Sequence, residues 1–212
     1  MPAATVITFS LNILGAIVAL LTSYYAYKSN RLVGSSVLSA ISIGFMLLGI
    51  GLVVDAGTSL VTGTLLVEVP GDRLLTTLAS FSYLAVQMLA YLVIAVGYAR
   101  ATYGNAAKAA VPAVVVGWAA SLHGFSVLSY FVVLLLLGFV VFQGILLRSG
   151  KKGVMSLTVL LAFVLILAAH LVLLFSVLTA GTGLFLVGTG VQFLGFLALL
   201  VFVVRSEVVG PG

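Results

Sequence analysis

The sequence predicts an all-α, polytopic membrane protein that crosses the bilayer seven times, with its N-terminus outside and its C-terminus in the cytoplasm. Three observations predict this. Of 212 residues only 6% are charged while 63% are hydrophobic, whereas a soluble domain needs about a quarter of its residues charged to stay wetted. Apolar stretches of roughly 20 residues, the length that crosses the hydrocarbon core, recur along the chain. Eight of the nine basic residues fall in turns that seven crossings would place on one face.

The first span is expected over Thr5–Tyr27, with no basic region before it and no convincing cleavage site, so it reads as an uncleaved helix. The second covers Val33–Val54. Asp55–Arg73 follows as the one long loop, with Gly and Pro as breakers and a short β-prone run at Thr64–Val69. An ordinary connector is the favoured reading of that loop over a hairpin or lid. The third span is Leu74–Ala99. The fourth, Ala106–His123, is the shortest, with Pro112 in its first turns, where a missing N–H does least harm. Gly124 separates it from the fifth, Phe125–Leu147. The sixth is Gly153–Leu178 and the seventh Gly183–Val204. Residues 1–212 thus form a single transmembrane domain.

Seven crossings put Lys28, Arg31, Arg100, Lys108, Arg148, Lys151, Lys152 and Arg205 together. The positive-inside rule makes that face cytoplasmic and the setting a cell membrane. The opposite face holds Asp55, Glu68, Asp72 and Arg73. The expected partners are the lipid bilayer and either other membrane subunits or further copies of the chain. No basic run interleaved with aromatics points to nucleic acid. The absence of cysteine removes disulfides, thiol redox chemistry and thiolate metal sites.

An internal repeat is suggested by helices 3 and 7. Val86–Arg100 reads VQMLAYLVIAVGYAR and Val191–Arg205 reads VQFLGFLALLVFVVR, 105 residues apart. The shared Gln-to-Arg spacing carries weight, because a lone amide inside a span is costly. Helices 1 and 5 end alike in Lys28-Ser29-Asn30-Arg31 and Arg148-Ser149-Gly150-Lys151. A 3+1+3 layout follows, with parallel copies at 5–100 and 125–205 and a linking helix at 106–123. The competing reading is that a basic turn after any inward-running helix is expected anyway.

For chemistry, the absences narrow the field. No Asp, Glu, Lys or Arg is expected inside a span, so the carboxylate on which coupled carriers often depend is missing. No nucleophile–base–orienter set appears, which leans against an enzyme. Asn12, Gln87 and Gln192 lie within spans as candidate solute-binding groups, and Gln143 accompanies them. The structural alternative is helix–helix bonding, together with small-residue packing through Gly44, Gly49, Gly51, Gly188, Gly190 and Gly195. His123 and His170 each lie 17 residues beyond the inner end of their helix, about 25 Å up. Two imidazoles at one depth are candidate axial ligands of a b-type haem, with Arg73 as a propionate partner. Tyr24, Tyr25, Tyr27, Tyr98 and Tyr103 are expected in the interfacial belt.

The 3+1+3 layout resembles the sugar and amino-acid facilitators of the SWEET and PQ-loop type, but Gln87 and Gln192 follow Val where that family has Pro-Gln. The seven-span pattern with basic inner turns, and His170 within AAHLVLLFSVL, resembles membrane modules of archaeal sensors. Together with the lack of catalytic or coupling residues and the short loops, that resemblance leads to a non-catalytic, sensor-like module or a subunit of a membrane complex as the expected function. A bis-His haem electron carrier and a facilitator for a small neutral solute are the alternatives.

Overall fold

The computed structural model describes residues 3–65, 72–104, 126–149, 156–179 and 181–208, and they are helical nearly throughout. We number the helices α1 (Ala3–Val33), α2 (Ser36–Leu65), α3 (Asp72–Tyr103), α4 (Ser126–Ser149), α5 (Leu157–Thr179) and α6 (Thr182–Val208). Each contains a stretch long and apolar enough to cross a membrane. The chain is accordingly a multi-pass membrane protein, and its helices meet the lipid bilayer.

The expectation of seven spans is corrected to six helices among the described residues. The expected fourth span, Ala106–His123, lies outside them. The N-out, C-in assignment belongs to that seven-span reading and is not carried over; neither end of the bundle is assigned to a side of the membrane.

A second correction concerns the long loop expected at Asp55–Arg73. Helix α2 continues through Asp55, Gly57 and Gly63 to Leu65, and α3 starts at Asp72. The expected β-prone run therefore begins inside a helix, at Thr64 and Leu65, and continues outside the described residues. The physical reason is that glycine and one carboxylate penalise a helix by about 1 kcal/mol or less each. Through Thr58, where the candidate span ends, continuing an apolar, internally hydrogen-bonded backbone outweighs that cost because water is absent. Asp55 consequently lies within the candidate span Ser36–Thr58, contrary to the expectation of spans free of acidic groups.

The helices form a closed ring. Each packs against its neighbours in sequence order from α1 to α6, and α6 returns to α1. Within the pairs α1/α2, α2/α3 and α5/α6 the helices run antiparallel. For α2/α3, Gly51 faces Val86 near one end and Gly97 faces Ala40 near the other. Helices α3 and α4 run parallel, since Tyr103 meets Gln143 and Leu84 clusters with Tyr130. Tyr103 and Ser126 therefore lie at opposite ends of the bundle. Arg31, Arg100, Arg148 and Arg205, each in the last turn of its helix, share one end.

The axis of the ring is packed. Tyr91, Tyr98, Phe45, Phe163, Phe196, Leu137 and Ile94 are almost wholly buried. Phe45 on α2 meets Phe196 on α6 edge to face at 5.3 Å, and Tyr98 on α3 meets Phe163 on α5 likewise at 5.7 Å. The outer surface carries Ile17, Ile50, Phe131, Phe142, Phe175 and Leu194. Such a surface suits lipid and would be costly in water.

Glycines set how closely the helices approach. A Cβ on Gly49 would meet the Leu20 side chain at 2.7 Å, and one on Gly188 would meet Leu173 at 2.8 Å. Close backbone approach through small residues is how helices gain contact when both helix and solvent are apolar. Gly190, grouped with these by sequence, has open space instead. Ser23 and Ser42 tie α1 to α2 by donating to each other's backbone carbonyl, at 2.8 and 3.0 Å.

Candidate functional site

The strongly polar side chains of the spans point inward. Asn12, Gln87, Gln143, His170 and Gln192 are all at most 5% exposed. In lipid, turning such groups to the interior is what removes the cost of an unpaired dipole. Asn12, Gln87, Gln192 and His170, which lie on four different helices, are brought by the ring into one region.

His170 is its centre. It is fully buried on α5, and its Nδ1 lies 2.7 Å from the carbonyl oxygen of Ile166. A carbonyl only accepts, so Nδ1 carries the proton and Nε2 is left as an acceptor. The Gln87 amide Nε2 of α3 donates to it at 2.7 Å. Tyr91, one turn further along α3, sets its ring edge-on to the imidazole at 5.3 Å.

Around this pair lie three buried polar atoms that form no well-aligned hydrogen bond: Gln87 Oε1, the Tyr91 hydroxyl and Gln192 Nε2. The Tyr91 hydroxyl is close to both amides, Gln87 and Gln192, and Gln192 also reaches Tyr83. Among them are an acceptor, a donor and a hydroxyl that is both, so a small neutral polar molecule or water matches them chemically. A crevice of about 10 Å³ beside Gln192, Asn12 and Thr189 is near the size of one water.

The region continues to Asp55. Asn12 Nδ2 of α1 donates to Asp55 Oδ2 of α2 at 2.7 Å. Asp55 is also near enough to Tyr83 and Tyr130 to interact with them electrostatically. All six described helices thus supply at least one polar group: Asn12, Asp55, Gln87, Tyr130, His170 and Gln192. Asp55, Tyr83, Tyr91 and Tyr130 went unread from sequence. For Asp55 a signal existed, because Ile41, Phe45, Leu48, Leu52 and Asp55 recur at three- and four-residue spacing along one face of α2.

The haem residues are not brought together. His123 lies outside the described residues, and Arg73 is placed only by its backbone, in the first turn of α3. Both nitrogens of His170 are already engaged, and Tyr91 and Gln87 pack on the ring. An iron at Nε2 would have to expel Gln87, so the surroundings of His170 do not fit a macrocycle. Tyr98, expected at the interface, is instead buried in the core, whereas Tyr24, Tyr27 and Tyr103 are exposed near the arginine-bearing end.

Among the described residues no three His, Asp or Glu side chains gather closely enough to hold a metal ion. The chain matches no protein-family model, no curated protein and no solved structure.

Proposed function

We propose that this chain is a non-catalytic membrane module, acting as a sensor-like unit or as a subunit of a larger assembly in the cell membrane. The observation that carries the reading is the packed axis of the ring, in which one polar region joins all six described helices. A helix bundle tied through its centre is suited to respond as a unit, because a change at one polar partner alters the packing of several helices. The resemblance of the His170 segment to archaeal sensor modules points the same way. Flux assays on liposomes containing only this protein test the proposal. No release of small neutral solutes above empty liposomes is expected, and release that depends on Gln87 and Gln192 would overturn it.

A second reading, a facilitator for a small neutral solute, is favoured by one observation. Gln87 Oε1, the Tyr91 hydroxyl and Gln192 Nε2 are buried side by side in one region without a well-aligned hydrogen bond. The same flux assay decides between the two. The haem reading has no such support, and the reduced protein is expected to show no Soret or α/β absorption.

We also propose that α1–α3 and α4–α6 are two copies of one three-helix unit. Shifting α3 by 105 residues onto α6 carries buried Leu84, Gln87, Ala90, Tyr91, Ile94 and Tyr98 onto buried Thr189, Gln192, Gly195, Phe196, Leu199 and Val203. The order of packing in the ring is unchanged by the exchange. The matching basic turns of α1 and α4 lend no support. Their 120-residue shift sets buried Ala19, Thr22 and Ala26 against exposed Phe139, Phe142 and Leu146.

A further inference from the structure

A groove of about 390 Å³ runs between α2 and α3, away from the polar core. Its lining divides chemically along its length. Ser36, Ser39 and Arg100 lie at the arginine-bearing end, and Ile43, Val93 and Val96 form an apolar wall beyond them. Arg100 and Ile43 are exposed, so the groove opens toward lipid.

The polar mouth favours an anion for three separate reasons. Among the described residues Arg100 meets no carboxylate. The N-terminus of α2 is directed there, its first turn closed by the Ser39 N–H on Ser35 O at 3.0 Å, and the amides before it point out of the helix end. No acidic residue occupies that turn. Exposed Tyr103, in the turn after Arg100, sits where an aromatic side chain marks the headgroup level. An anionic mouth at that level, continued by an aliphatic slot, matches an amphiphile with a phosphate at one end.

We propose that this groove binds one anionic glycerophospholipid, with its phosphate between Arg100 and the N-terminus of α2 and one acyl chain against Ile43, Val93 and Val96. Annular lipid would coat the whole bundle without preference. This site selects for negative charge through Arg100, with the N-terminus of α2 orienting the phosphate.

Native mass spectrometry of the purified full chain tests the site with phosphatidylglycerol and phosphatidylcholine of identical acyl chains. One phosphatidylglycerol is expected to be retained about fivefold more than phosphatidylcholine, the scale of one arginine at an anionic surface. Arg100→Gln should abolish the preference and Arg100→Lys should keep most of it. Arg148→Gln, at the same end but on α4, should leave it intact. Ile43→Trp, at an exposed position, should lower retention of both lipids by filling the slot. Equal retention of the two lipids overturns the proposal. So does a loss in Arg148→Gln as large as in Arg100→Gln, which would indicate a diffuse basic face. Displacement of the lipid by millimolar inorganic phosphate also overturns it, since the acyl contacts would then contribute nothing.

Discussion

At the scale of residues, the energetics of the polar region turn on pairs that satisfy each other in a solvent without hydrogen bonds. Gln87 gives His170 Nε2 its donor. Gln87→Leu leaves that nitrogen buried and unpaired, and should cost about 1–3 kcal/mol in unfolding free energy. Adding His170→Phe should recover part of the loss. A double-mutant cycle read by denaturation in mixed micelles should yield a coupling of about 0.6 kcal/mol and at most about 1.7, the average and the maximum for polar contacts between membrane helices. A coupling near zero would mean that the two side chains contribute independently. For the second pair, Asn12→Leu removes the donor to Asp55 Oδ2, and a loss of about 1.5–3 kcal/mol is expected if the carboxylate is charged. Asp55→Asn should cost less, because an amide is cheaper than a carboxylate to bury.

At the scale of elements, glycines on the same kind of helix should respond in opposite ways. A Cβ on Gly97 would run into the Cβ of Ala40, with the Ser36 carbonyl also close. Gly97→Ala must therefore push α2 from α3 and should lower the melting temperature. A Cβ on Gly138 of α4 meets nothing within 4 Å. Gly138→Ala should be neutral or stabilise by about 0.5–1 kcal/mol through reduced backbone freedom in the unfolded chain. Thermal melts of the two variants in one detergent check the contrast.

The same elements show what was legible beforehand. The six helices were readable because apolar length is dictated by bilayer thickness. The inward amides were readable because lipid leaves a polar side chain few alternatives. The end of α2 was not. Gly57, Gly63 and Asp55 read as a loop under rules learned from water, where backbone can leave a helix cheaply. Nor could the sequence reveal that Asn12 meets Asp55, or that Tyr91 sits between Gln87 and Gln192. Those contacts depend on the order of helices around the ring, and hydropathy carries no information about that order.

At the scale of the whole molecule, the decisive feature is that the ring closes between α1 and α6. Without that contact the six helices would be a row, and Asn12, at one end of the sequence, would lie far from Gln192 at the other. With it, Leu11 and Asn12 of α1 and Gln192 and Phe193 of α6 line a single crevice. The absence of native cysteine makes closure directly measurable. Leu11→Cys with Phe193→Cys should be joined by a short bifunctional thiol reagent in membranes, giving one intramolecular product that migrates as monomer. Leu11→Cys with Leu135→Cys, which places its second thiol on the outward face of α4, should not be joined within a monomer. Efficient linking of the second pair, or none of the first, would mean that the helices are ordered differently. The polar region built from all six would then have to be redrawn.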